Sequence, residues 1–141
     1  MYSIGIMALS KRIPKQKVKP LILVVEDELS VAAALRENLE EKSYNVEVAK
    51  DGIEAIEKVR SLKPAAIIMD LGLPKQNGLQ VIERLRSTKT NFTTPVIVLS
   101  NVESSVVLQK CEELGMSCYY VKTHTSIQKV IETVLKTVPL K

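Results

Sequence analysis

The sequence predicts an α/β fold of the (βα)5 kind, a doubly wound five-stranded parallel sheet, and three observations carry that expectation. Short apolar runs alternate five times with amphipathic stretches of helical period. Four of those runs, residues 21–25, 65–69, 95–99 and 119–121, are continuously apolar, as strands buried on both faces require. Finally, Glu26, Asp27, Asp70, Ser100 and Lys122 all fall at or just past the ends of these runs. In a parallel sheet the carboxyl ends share one edge, and open α/β sheets bind their ligands there.

Taken in order, Leu21 to Val25 is the first strand. Residues 29–43 read as a helix, with Val31, Leu35 and Leu39 on one stripe. Residues 45–49 alternate in strand fashion, and Asp51 is placed to cap a second helix whose apolar stripe is Ala55, Ile56, Val59 and Leu62. Pro64 stops it. The third strand ends at Asp70. A loop containing Gly72, Pro74, Asn77 and Gly78 leads into a third helix with Leu79, Ile82 and Leu85 inward. Pro95 opens the fourth strand. The fourth helix is expected over residues 103–114, with Gly115 as its C′ residue. The fifth strand, 119–121, precedes a last helix whose stripe is Ile127, Val130, Ile131, Val134 and Val138.

The chain of 141 residues is long enough for one domain with a substantial core. No apolar run approaches the roughly 20 residues that span a bilayer. No charge precedes the short apolar run at the N-terminus, so it does not read as a signal peptide, and the cytoplasm is the expected compartment. The net charge of +4 is a property of one end. Of the 20 basic residues, five (Lys11, Arg12, Lys15, Lys17 and Lys19) lie in the first 20 positions with no acid among them. The remaining 15 face all 16 acids, a net of −1. Residues 1–18 are therefore read as a basic, disordered leader with Met7 as an alternative start, 19–138 as the folded domain and 139–141 as a tail. DNA binding could rest only on that leader, and none is expected of the domain. Cys111 and Cys118, with His124 the only histidine, make no zinc set; both are read as small hydrophobes rather than a disulfide.

Clustered carboxylates raise one another's pKa unless a cation joins them. Hard oxygens in modest number suit Mg²⁺. A carboxylate nucleophile, a metal, and donors such as Ser100 and Lys122 are what phosphoryl transfer to an aspartate requires.

The stretches Ile22-Leu23-Val24-Val25-Glu26-Asp27-Glu28, Ile67-Ile68-Met69-Asp70-Leu71-Gly72-Leu73-Pro74, Pro95-Val96-Ile97-Val98-Leu99-Ser100 and Tyr119-Tyr120-Val121-Lys122 resemble, in order and spacing, a two-component response-regulator receiver domain. The resemblance runs from Lys19 to Val138 and has a chemotaxis-regulator-like, single-domain character. It implies a flavodoxin-like sheet of order 2-1-3-4-5. It implies that Asp70 accepts a phosphoryl group from a histidine kinase or phosphotransfer protein, and that Glu26, Asp27, Asp70 and the Gly72 carbonyl hold Mg²⁺. Lys122 would contact the phosphoryl group, Ser100 would hydrogen-bond it, and Tyr119 would be the aromatic switch residue. The protein would catalyse only its own phosphorylation and dephosphorylation, and would signal to a downstream protein through its fourth helix, fifth strand and fifth helix. Leu108, off the stripe of Val107, Cys111 and Leu114, is expected to be partly exposed there.

The chain departs from the family at two positions. Thr123 follows Lys122 where the family usually has proline, so a trans bond or altered loop is expected. Asn101 follows Ser100 where a smaller residue is usual, and is expected to narrow access to the phosphoryl group. Neither removes a chemical group the site needs. The alternatives are a receiver segment of a longer regulator and a receiver that docks without phosphorylation. An aspartyl-phosphate phosphatase would carry a second acid two residues after the nucleophile, where this chain has Gly72. A dinucleotide-binding domain would carry G-x-G-x-x-G after the first strand, and this chain does not.

Overall fold

A computed structural model describes residues 18–88 and 93–141. The basic leader expected over residues 1–18 therefore lies, but for Val18, outside the described residues. Among the described residues, five strands form one parallel sheet: β1 (Leu21–Val25), β2 (Asn45–Ala49), β3 (Ala66–Met69), β4 (Val96–Ser100) and β5 (Cys118–Val121). Their order is β2-β1-β3-β4-β5, as the resemblance implies. Five helices alternate with them: α1 (Leu29–Glu41), α2 (Gly52–Leu62), α3 (Gly78–Arg86), α4 (Ser105–Glu113) and α5 (Ile127–Thr137). A 3₁₀ turn, Lys122–His124, joins β5 to α5. No described helix is long and apolar enough to cross a membrane.

Period-two alternation divides the core. Leu23, Val25, Ile67, Met69, Val96 and Val98 face Ala55, Val59, Val81, Ile82, Leu85 and Cys111 of α2, α3 and α4. Ile22, Val24, Ala66, Ile68, Ile97 and Leu99 face Leu35, Leu39, Val130, Ile131 and Val134 of α1 and α5. The continuous hydrophobicity of β1, β3 and β4 thus reflects burial between two helical layers.

Local chemistry sets the helix ends. Asp51 accepts from Glu54 N at 2.8 Å and caps α2, as expected. Asn77 and Gln80 form a reciprocal capping box at α3. Gly115 stands at φ 70° just beyond α4. Three expectations shift. α1 ends at Glu41 rather than Ser43, because Ser43 turns into the left-handed region at φ 72° and Tyr44 N reaches back to the Leu39 carbonyl. α4 begins at Ser105, since Ser104 is spent as its cap. Leu62, at the last position of α2, is exposed rather than inward. Leu108 is exposed, as expected, at 40%.

Candidate functional site

Strand register builds the site. Val25 pairs with Met69, so Glu26 and Asp70 leave neighbouring strands at the same level. Ser100 pairs with Val121, so Lys122 emerges beside Ser100 one step further on. Glu26, Asp70 and Ser100 are buried, Lys122 is nearly so, and Asp27 is exposed.

Asp70 has donors on both carboxylate oxygens. Its Oδ1 accepts from the Ser100 hydroxyl at 2.9 Å and from Gly72 N at 3.0 Å. Its Oδ2 accepts from Lys122 Nζ at 2.9 Å. The same ammonium lies 2.7 Å from Glu26 Oε1 and 3.0 Å from Glu28 Oε1. Burial pushes Asp70 up, but the Lys122 ammonium, Gly72 N–H and Ser100 hydroxyl outweigh it and hold the carboxyl below its usual range. Glu26 behaves oppositely. Burial, with the Asp70 charge added, overcomes Lys122 and the Glu28 N–H and raises it to about 7. Burial alone would lower Lys122, but its three carboxylate partners raise it above the ordinary lysine range.

Glu26, Asp27 and Asp70 each offer a carboxylate oxygen, all within 4.8 Å of one another. Hard, anionic and few, they form the donor set that Mg²⁺ takes. The raised Glu26 marks a negative charge that a divalent ion would stabilise.

The loop after β3 is held by close packing. A Cβ on Gly78 would stand 2.6 Å from the Asp70 carbonyl oxygen and 2.7 Å from Leu71 Cα. One on Gly52 would stand 2.5 Å from the Gln76 carbonyl oxygen. Lys75 in this loop pairs with Asp51 at 3.2 Å, fastening the loop to the cap of α2.

All seven residues singled out in the sequence lie at or next to this edge. Six of them, Glu26, Asp27, Asp70, Gly72, Ser100 and Lys122, converge on the carboxylate cluster itself. Tyr119 is one step removed: its hydroxyl donates to the Val102 carbonyl in the loop after β4, and its ring packs on the core beneath α4. Among the described residues there is no cis peptide bond, so the Lys122–Thr123 bond is trans, and Lys122 still reaches Asp70. Asn101 directs its side-chain oxygen to Thr123 N at 3.1 Å. Sequence reasoning missed Glu28 as a partner of Lys122. Its signal was adjacency to two functional acids, masked by its equal fitness for the exposed start of α1.

Comparison with known proteins agrees with this geometry. A family model described as the response regulator receiver domain matches residues 22–134. The chain is 40% identical over 101 residues to the alkaline phosphatase synthesis transcriptional regulatory protein PhoP of Bacillus subtilis, covering 72% of this chain and 41% of that protein. It is 41% identical over 83 residues to the response regulator MprA of Mycobacterium ulcerans, covering 59% of this chain and 35% of that protein. The match thus spans about two fifths or less of these relatives' length. Among solved structures, the chemotaxis response regulator CheY4 of Vibrio cholerae superposes with a TM-score of 0.78 at 24% identity, covering 86% of this chain and all of that one, a likeness of fold.

Proposed function

Because this chain belongs to the response-regulator receiver-domain family, we propose that it is a phosphoacceptor switch that takes a phosphoryl group on Asp70 from a phosphohistidine of a kinase or phosphotransfer protein. The carrying observation is the set of donors already gathered on the Asp70 carboxylate: Ser100, Gly72 N–H and Lys122.

A carboxylate oxygen of Asp70 attacks phosphorus, and the phosphorus–nitrogen bond breaks with its pair returning to the imidazole. Low proton affinity keeps Asp70 ionised and able to attack at neutral pH. Glu26, Asp27 and Asp70, with the Gly72 carbonyl, would hold Mg²⁺, which would supply neutralisation of the transferring oxygens. Lys122 and the Ser100 hydroxyl, now bound to Asp70 itself, turn to the oxygens of the new phosphoryl group. A separate hydrolysis resets the site: water attacks phosphorus, the Asp70 carboxylate leaves, and phosphate and a proton are released. The protein's catalysis is confined to these two steps on itself.

The added charge biases a two-state equilibrium of the loops after β4 and β5. Tyr119, tied to Val102, links that movement to β5, and the face of α4, β5 and α5 presents it to a protein partner. The cytoplasm is where such a switch meets its kinase. No DNA contact by the domain itself is part of this reading. A second reading, that the chain is the receiver segment of a longer regulator, is favoured by the fraction of PhoP and MprA that it matches. A reading frame continuing past Lys141 would establish that one.

The test is intact mass spectrometry after incubation with Mg²⁺ and acetyl phosphate. A Mg²⁺-dependent gain of one phosphoryl group, absent from Asp70→Asn, is expected. No gain in the wild type, or an undiminished gain in the variant, refutes the proposal.

A further inference from the structure

The two departures of this chain from its family touch each other. Thr123 N donates to Asn101 Oδ1 at 3.1 Å, across 22 residues of sequence. Asn101 directly follows Ser100, and Thr123 directly follows Lys122. The bond therefore joins the two loops whose side chains hold opposite oxygens of Asp70. It exists only because residue 123 is not proline, which would lack the donor. The turn it caps is weakly made: its closing bond, Thr125 N to the Lys122 carbonyl, is 3.5 Å long. A first-turn N–H has no partner within its own helix, and Asn101 supplies one. The amide is thus engaged with the turn, which is a different task from narrowing the approach to Asp70.

We propose that Asn101 is a positioning residue that ties the Ser100 loop to the Lys122 turn, so that the hydroxyl and the ammonium keep one geometry on the phosphoryl group. The inference rests on the phosphoacceptor reading. Loss of the tie lets the Lys122 turn move independently of Ser100 and lowers the fraction of protein in which both donors are in place. That loss falls on the limiting rate of phosphorylation rather than on the affinity for the small donor. A side chain that merely screened the site would have the opposite signature, since trimming it would admit acetyl phosphate more readily.

The experiment compares wild type, Asn101→Ala and Asn101→Leu in the full chain with Mg²⁺ and acetyl phosphate. Leucine keeps the bulk and removes the acceptor. Initial rates are measured across acetyl phosphate concentrations, and exchange of the Thr123 amide is followed by ¹H–¹⁵N spectroscopy without any donor. The tie predicts faster Thr123 exchange in both variants. It also predicts a limiting rate lowered about two- to tenfold in both, the worth of one modest hydrogen bond, at an unchanged half-saturating concentration. A faster Asn101→Ala with an unaltered Asn101→Leu overturns the proposal in favour of screening. Wild-type Thr123 exchange as fast as in the variants overturns it whether or not Asp70 is phosphorylated. A wild type that takes up no phosphoryl group refutes the phosphoacceptor reading and the positioning role with it, while the amide still reports the contact separately.

Discussion

Replacing Gly78 by alanine sets two effects of opposite sign against each other. Gly78 is the first residue of α3, and alanine favours a helix over glycine by about 1 kcal/mol in an interior and by less at the first position. The new Cβ, however, would stand 2.6 Å from the Asp70 carbonyl oxygen, 2.7 Å from Leu71 Cα and 2.9 Å from Leu71 Cδ2. Two of these three atoms belong to backbone that cannot step aside without moving the end of β3. Forcing a methyl into such a contact costs about 1–3 kcal/mol, so the clash wins and Gly78→Ala should destabilise the domain by roughly 1–2 kcal/mol. Urea denaturation measures this as a lower midpoint at unchanged slope. The strain also falls on the peptide that carries Asp70, so phosphorylation by acetyl phosphate should slow under conditions in which the variant is fully folded. A Gly78→Ala protein as stable as wild type or more so would refute the reasoning, because helix propensity would then have prevailed over a contact that has no room.

Three further outcomes are expected. Lys122→Met should raise Mg²⁺ affinity about tenfold at low salt, because it removes a cation bound directly to Glu26 and Asp70; calorimetric titration reads this, and an unchanged affinity would show that Lys122 does not oppose the metal. Arg86 donates to the carbonyls of Leu114 and Thr94 at 2.8 and 2.7 Å, so Arg86→Ala should cost about 2–3 kcal/mol, and Arg86→Lys should recover less than half for want of the planar fork; equal stability of all three in denaturant would count against the clamp. Burial pushes the Cys111 thiol up to about 11 from an ordinary 9.0. Its raised folded value contributes stability that is complete below pH 9 and lost as the pH climbs towards 11, so Cys111→Ala should show a shallower alkaline decline in melting temperature than wild type, and an identical decline would exclude the thiol as the cause.

Much of this molecule was legible because its signals are local. The unbroken apolar character of β1 and β4 marked them as buried strands, and the functional residues stand directly after strand ends, so naming the strands named the site. What escaped depends on distant partners. Glu28 reads as an ordinary acid at the start of a helix until β5 delivers Lys122 beside it. Arg86 reads as a solvated residue at the last turn of α3, and only the fold brings the end of α4 beneath its guanidinium. Asn101 and Thr123 were each visible as departures, yet their hydrogen bond is created by the pairing of β4 with β5 and has no trace in local periodicity. Ser43, whose backbone stops α1 early, carries a side chain that tolerates helix and turn alike.

An isolated carboxylate is symmetric: its two oxygens exchange places by a half-turn, and nothing chemical tells them apart. The one at Asp70 has lost that symmetry before any donor arrives. Oδ1 is held by a hydroxyl and an amide, both neutral, while Oδ2 faces an ammonium alone. A half-turn would break all three contacts at once before remaking them, so at rest the two oxygen positions have unlike partners. The protein therefore settles in advance which oxygen position faces the neutral donors and which the charged side of the pocket, and a phosphodonor meets a carboxylate with two unlike ends.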